Sequence, residues 1–81
     1  MVNDTDTLHT LAHIVEEIAG VESAEVTPEK SFIDDLDLDS LIMVEITLQI
    51  EDTFGVKIPD DQIAELRTVG NAVSYIDGHR P

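Results

Sequence analysis

Residues 34–40, DDLDLDS, gather four aspartates and one serine directly ahead of the apolar run LIMVEI. Three chemistries fit such a cluster on paper. The first is a calcium loop, because Asp35, Asp37 and Asp39 stand at the first, third and fifth places of D-x-D-x-D. The sixth place, which needs glycine for its sharp turn, holds Ser40, and the twelfth, which needs a bidentate glutamate, holds Ile46. An EF-hand is therefore not expected. The second is a serine nucleophile, which needs a base within hydrogen-bond reach and an oxyanion site. The only histidines, His9, His13 and His79, are remote in sequence, no G-x-S-x-G elbow is present, and the carboxylates disfavour a developing oxyanion. The third is a modification acceptor, whose attack is activated by the modifying enzyme's own metal and base. That reading fits Ser40 better. Helix capping by Asp39 or Ser40 stands beside it, since short polar side chains accept from first-turn amides and carboxylates suit the positive end of the helix dipole.

His9 and His13 stand four apart, a spacing that can hold a metal on one helical face. No third ligand is evident, so a solvated polar face is expected and no metal site is assigned. The chain has no cysteine, which removes disulfides, thiolate metal sites and a protein thiol. Any thiol chemistry here must be imported.

Eighteen acidic residues against four basic ones give a formal charge of −14. Such a field repels nucleic acid and anionic lipid and attracts basic patches on other proteins. Self-repulsion is expected to weaken the fold at low salt, so millimolar magnesium or calcium should raise the melting temperature, which a cation titration checks. No run of about 18 apolar residues suggests a membrane span, and MVNDTDTLHT lacks the basic and apolar regions of a signal peptide. A cytoplasmic monomer is expected. With 81 residues there is material for one domain, residues 1–81, whose core must be aliphatic because only Phe32, Phe54 and Tyr75 are aromatic.

The elements that must position Ser40 follow from periodicity. Leu8, Leu11, Ala12, Val15, Ile18 and Ala19 recur at threes and fours, predicting a helix from Asp4 to Ala19 with Gly20 as its stop. Residues 21–38 lack a period, yet Val21, Val26, Phe32, Leu36 and Leu38 should lay this long loop on the core. Within it TPEK reads as a turn capped by Thr27, with Pro28 at its first position. A second helix should run from Asp39 or Ser40 to Phe54, ending at Gly55. An extended piece to Pro59, a short helix from about Asp60 to Leu66, and a last helix capped by Thr68 and ended by Gly78 complete the chain. That last helix carries Val69, Ala72, Val73 and Ile76. The fold class is all-α: a small helical bundle of three main helices and one short one.

At about 100° per residue, Met43, Ile46, Ile50 and Phe54 share one side of the second helix, an ordinary core stripe. Leu41, Val44 and Leu48 fall opposite, interleaved with Glu45, Glu51 and Asp52. Either the long loop folds over these aliphatics, or they form a docking face whose carboxylates meet a partner's Lys and Arg.

SFIDDLDLDSL, FGVKIPD and TVGNAVSYI, at their spacing along almost the whole chain, resemble an acyl carrier protein of fatty acid biosynthesis. The resemblance implies a 4′-phosphopantetheine arm on Ser40, flanked by Asp39 and Leu41, with acyl chains carried as thioesters and no enzymatic activity. It implies partner docking by Asp39, Leu41, Val44, Glu45, Leu48 and Asp52, which supports the docking account, and an acyl cavity lined by Ile46, Ile50, Phe54, Ile63, Leu66 and Ala72. Expected partners are a phosphopantetheinyl transferase and the ketosynthases, ketoreductase, dehydratase, enoyl reductase and malonyl transferase of a dissociated, type II synthase. Alternatives are a polyketide carrier or, in a different class, an acidic interaction or calcium-binding module. Two departures stand out. Asp37 occupies a place where many relatives have glycine, a variant resembling actinobacterial carriers, and Ile42 replaces a frequent acid. The mycobacterial carriers of this kind have a longer C-terminal extension whereas this chain stops at Pro81, so a general fatty acid role is expected over a mycolate-specific one.

Overall fold

The computed structural model describes residues 4–79, in which four helices form: α1 (Asp4–Ala19), α2 (Ser40–Phe54), α3 (Asp60–Ile63) and α4 (Val69–His79), with a 3₁₀ turn at Ser23–Glu25. Among the described residues the only β-type pairing is an isolated antiparallel bridge between Ser31 and Thr68, and the fold is all-α. Arg80 and the Pro81 end lie outside the described residues.

α1 lies against both α2 and α4. Leu11, Ala12 and Val15 are buried as the period predicts, with Leu8, Ile18 and Ala19 half-buried along its edges. The stripe is wider than the spacing suggested: Ile14 is also buried, and so is the polar Thr7. Thr7 is tolerated there because its hydroxyl donates to an Asp77 carboxylate oxygen on α4, so burial leaves no polar group without a partner. The helix stops at Gly20, whose N–H reaches the Glu16 carbonyl at 2.9 Å.

α2 has the predicted bounds, and each end has a physical cause. Asp39 keeps an extended backbone and its Oδ1 accepts from the Ile42 N–H at 2.9 Å, satisfying one first-turn amide. Gly55 takes φ 72°, a left-handed conformation that costs a glycine little, and its N–H returns to the Glu51 carbonyl at 3.0 Å. Met43, Ile46 and Ile50 face the core with Thr47, whose hydroxyl donates to the Val44 carbonyl at 2.8 Å. Phe54 is half-buried at the end of that stripe.

The loop over residues 21–38 does lie on the core: Val26, Phe32, Leu36 and Leu38 are buried and Val21 is half-buried. It is tied to the segment before α4 by main-chain bonds. The Phe32 N–H donates to the Arg67 carbonyl at 3.0 Å and the Val69 N–H to the Lys30 carbonyl at 2.9 Å. Gly70 donates to the Pro28 carbonyl at 2.9 Å, and a Cβ there would stand 3.1 Å from that oxygen, so only glycine permits the approach without a shift.

Three local expectations are corrected. The turn at Thr27 is closed by the main chain, Lys30 N–H to Thr27 C=O at 3.0 Å, while the Thr27 hydroxyl has no partner and so caps nothing. The short third helix ends at Ile63 instead of reaching Leu66, because Glu65 and Leu66 donate three residues back, to Gln62 and Ile63, tightening the chain into turns. Gly78 does not end α4: it lies inside the helix, which runs to His79, and its backbone is not left-handed. Thr68 does cap α4, reciprocally: its hydroxyl accepts from the Asn71 N–H while Asn71 Oδ1 accepts from the Thr68 N–H, both at 3.1 Å.

Candidate functional site

The acidic stretch folds back on itself before entering α2. Asp35 Oδ2 accepts from the Ser31 N–H at 2.7 Å, the Ser31 hydroxyl from Asp34 N–H at 3.2 Å, and the Phe32 carbonyl from Leu38 N–H at 3.0 Å. With Leu36 and Leu38 pulled into the core, the alternating Asp34, Asp35, Asp37 and Asp39 are left outside. Asp37 makes the bend with φ 57°, which explains why this place suits glycine and why aspartate, one of the few other residues that visit that region, is accepted. Asp35 and Asp39, two of the three carboxylates of the D-x-D-x-D spacing, are each turned onto a backbone amide.

Ser40 is the first residue of α2 and is exposed. It borders a pocket of about 240 Å³ lined by Ile33, Ser40, Met43, Val44, Ile63, Ala64, Leu66 and Arg67. No histidine is among these lining residues. Of the six residues expected around an acyl cavity, Ile63 and Leu66 line this pocket. Ile46, Ile50 and Ala72 lie deeper, at no more than 1% exposure, and Phe54 is half-buried in the core packing. Sequence reasoning missed Ile33, Met43, Val44, Ala64 and Arg67 as pocket walls. Met43 and Val44 were read as single-face residues although they flank the pocket from α2. Ile33 and Arg67 lie in segments without a period, brought together by the Ser31–Thr68 bridge and the main-chain bonds around it.

Around α2 the outward residues Leu41, Val44 and Leu48 are 70%, 42% and 59% exposed, and Glu45 and Asp52 are exposed beside them. The long loop does not cover them. Ile33, 51% exposed, extends the apolar patch past Ser40. Glu51 departs from the expectation that it belongs to this face: it is partly buried and its Oε2 accepts from the Ile58 N–H at 2.7 Å, fixing the connection to α3. His9 and His13 are exposed, their ring centroids 5.2 Å apart, and His13 lies 3.8 Å from Glu16. Among the described residues no three metal-ligating side chains converge.

A small helical bundle that presents an exposed serine at a helix start, beside an apolar pocket with no histidine in its lining, has the form of a protein that another protein could load. Such a protein is a carrier. Residues 9–76 match the family described as "Phosphopantetheine attachment site", and the chain belongs to this family as an acyl carrier protein. It is 67% identical over 66 residues to the meromycolate extension acyl carrier protein of Mycolicibacterium aurum, covering 82% of this chain and 68% of that one. It is 58% identical over 74 residues to the acyl carrier protein of Thermobifida fusca, covering 91% of this chain and 94% of that one. In three dimensions it is similar to the acyl carrier protein from Enterococcus faecalis, with a TM-score of 0.79, 33% identity, and 96% and 99% of the two chains covered.

The chain therefore works as a carrier and not as an enzyme, holding acyl groups on a covalent 4′-phosphopantetheine arm. It serves fatty acid synthase enzymes and receives its arm from a phosphopantetheinyl transferase. The residues present fit such an arm: an exposed hydroxyl to bear it, an apolar pocket opening beside that hydroxyl, and one guanidinium among the lining residues. Among the described residues no helix is long and apolar enough to cross a membrane.

Proposed function

We propose that Ser40 is the residue that bears the arm and that the outer face of α2 is where successive synthase enzymes dock. The observation that carries the proposal is the position of the Ser40 hydroxyl, exposed on the first turn of α2 and opening onto the apolar pocket. When bound, 4′-phosphopantetheine supplies the thiol that a chain without cysteine lacks. Ser40 would contribute its oxygen to the phosphodiester: as its Oγ bonds to the pantetheine-side phosphorus of coenzyme A, the pyrophosphate P–O bond breaks, 3′,5′-ADP leaves, and the hydroxyl proton passes to a base of the transferase, no histidine lining the pocket beside Ser40.

Docking rests on the pairing of exposed Leu41, Val44 and Leu48 with exposed Asp39, Glu45 and Asp52. The apolar side chains bury against a partner while the carboxylates steer basic patches toward the loaded serine, favouring fast and brief encounters. The partners so recognised are ketosynthases, ketoreductase, dehydratase, enoyl reductase and malonyl transferase of a dissociated synthase in the cytoplasm. The acyl chain enters from the pocket beside Ser40 toward Ile46, Ile50, Phe54 and Ala72, between Ile63 and Leu66. A general acyl-carrying role accords with the Thermobifida relative, which is named simply an acyl carrier protein and is matched over nearly its whole length.

The test is the intact mass after incubation with coenzyme A, magnesium and a broad-specificity phosphopantetheinyl transferase. Wild type should gain one phosphopantetheine and Ser40→Ala none. A gain in both, or in neither, sinks the assignment of Ser40.

A further inference from the structure

Arg67 stands apart from the rest of the charge. The chain has four basic residues, Lys30, Lys57, Arg67 and Arg80, against eighteen acids, yet Arg67 makes no ion pair with any described residue. Lys30 and Lys57 make no ion pair with a described residue either; what sets Arg67 apart from them is its backbone and its place on the pocket that Ser40 borders. That backbone is fixed: the Arg67 carbonyl accepts from Phe32 N–H at 3.0 Å, and the neighbouring Val69 N–H donates to the Lys30 carbonyl at 2.9 Å. The same bonds carry Ile33 to the pocket wall, so Arg67 and Ser40 border one pocket of about 240 Å³ from opposite segments of the chain. Arg67 is the only cation among the residues that line it.

We propose that the Arg67 guanidinium binds the anionic phosphodiester formed on Ser40, anchoring the base of the arm at the pocket mouth. The proposal rests on Ser40 being the loaded residue. A phosphodiester placed on Ser40 adds a negative charge next to Asp39, at the end of a stretch that also holds Asp34, Asp35 and Asp37, and repulsion opposes it there. Arg67 offsets that repulsion from the pocket side, and its planar fork matches two phosphate oxygens at once. The first-turn amides of α2 pull in the same direction, although Asp39 already takes the Ile42 N–H. Held this way, the arm leaves Ser40 directed over the apolar pocket instead of sweeping freely through solvent.

The experiment uses holo-protein whose mass confirms one phosphopantetheine, as wild type, Arg67→Gln and Arg67→Lys. Arg67 is exposed and contributes to the fold through its carbonyl, so both variants keep the fold, which circular dichroism confirms. The readouts are the ³¹P chemical shift of the phosphodiester and the relaxation of an isotopically labelled arm, at low and high salt. In wild type at low salt the phosphorus shift should differ from that of Arg67→Gln and the arm atoms nearest the phosphate should be more ordered. Arg67→Lys should fall between them, and high salt should move wild type toward the Gln variant. Identical phosphorus shifts and arm relaxation in wild type and Arg67→Gln overturn the proposal, including the case where Arg67→Gln weakens only a partner's binding. A chain that gains no mass overturns the Ser40 reading and this one together, so the two failures are told apart by the mass alone.

Discussion

The two sides of α2 are built from the same residue types and do opposite things. Met43, Ile46 and Ile50 are buried against the other helices, whereas Leu41, Val44 and Leu48, drawn from the same short run, stand in solvent beside Glu45 and Asp52. Hydrophobicity is common to both sides; what differs is whether a partner element is present in the chain. The inner side is satisfied by α1 and the loop, so it sets stability. The outer side is not covered by any described element, and on the docking proposal its exposed aliphatic area is a cost in solubility that binding removes. On that proposal α2 holds the fold with its inner face and meets partner proteins with its outer one.

The largest test of that separation is Ile46→Ala. Ile46 is entirely buried, so truncation removes packed methyl groups and leaves a cavity, costing about 2–5 kcal/mol. Urea unfolding of the apo-protein should show this as a fall in midpoint at unchanged slope. A loss below about 0.5 kcal/mol would mean that the inner face is not the core.

Leu48→Ala is the mirror experiment. Its side chain is 59% exposed, so stability should change by less than about 0.5 kcal/mol. Affinity for a ketosynthase should weaken roughly tenfold, about 1.4 kcal/mol, as expected for an apolar anchor near the centre of a docking patch. Calorimetric titration with the loaded wild type and variant reads it directly, and an unchanged affinity would remove Leu48 from the docking face. Glu45→Gln should act on rate more than on affinity: association slowed on the order of a few-fold at low salt, with the difference vanishing at high salt. Stopped-flow measurement at two ionic strengths decides it; a changed dissociation rate with unchanged association would mean that Glu45 makes a buried contact.

How much of this could be read beforehand depended on which interactions are local. The bounds of α1 and α2 were legible because period, Asp39 and Gly55 all lie within a few residues of the ends they set. The separation of Leu41, Val44 and Leu48 from Met43, Ile46 and Ile50 followed from helical angle alone. The pocket was only half legible: Ile63 and Leu66 belong to it, but Ile33 and Arg67 meet Ser40 through the bridge between Ser31 and Thr68, a pairing of distant residues that leaves no period in either segment. Glu51 was misread, and the burial of Thr7 was not anticipated, for a related reason. A polar residue looks outward in any pattern, and its inward position is revealed only by its partner, Asp77 for Thr7 and the Ile58 amide for Glu51.

Asp37→Gly gives the smallest effect and sharpens the comparison at the point where the loop hands over to α2. The residue holds φ 57°, a region that costs an ordinary side chain free energy and glycine almost none. Glycine also loosens the unfolded chain, which works against the gain. A second term favours the substitution: one negative charge is removed from a stretch that holds Asp34, Asp35 and Asp39 as well. The net expectation is a gain of about 0.5–1 kcal/mol at low salt, shrinking as salt screens the charge term. Asp37→Asn separates the two contributions, because asparagine removes the charge and keeps a side chain in the same backbone conformation. If Asn reproduces the whole gain and salt abolishes it, the bend carries no strain and the acidic stretch is limited by charge alone. If Gly exceeds Asn by an amount that survives high salt, backbone strain sits three residues from Ser40, on the segment that orients the serine.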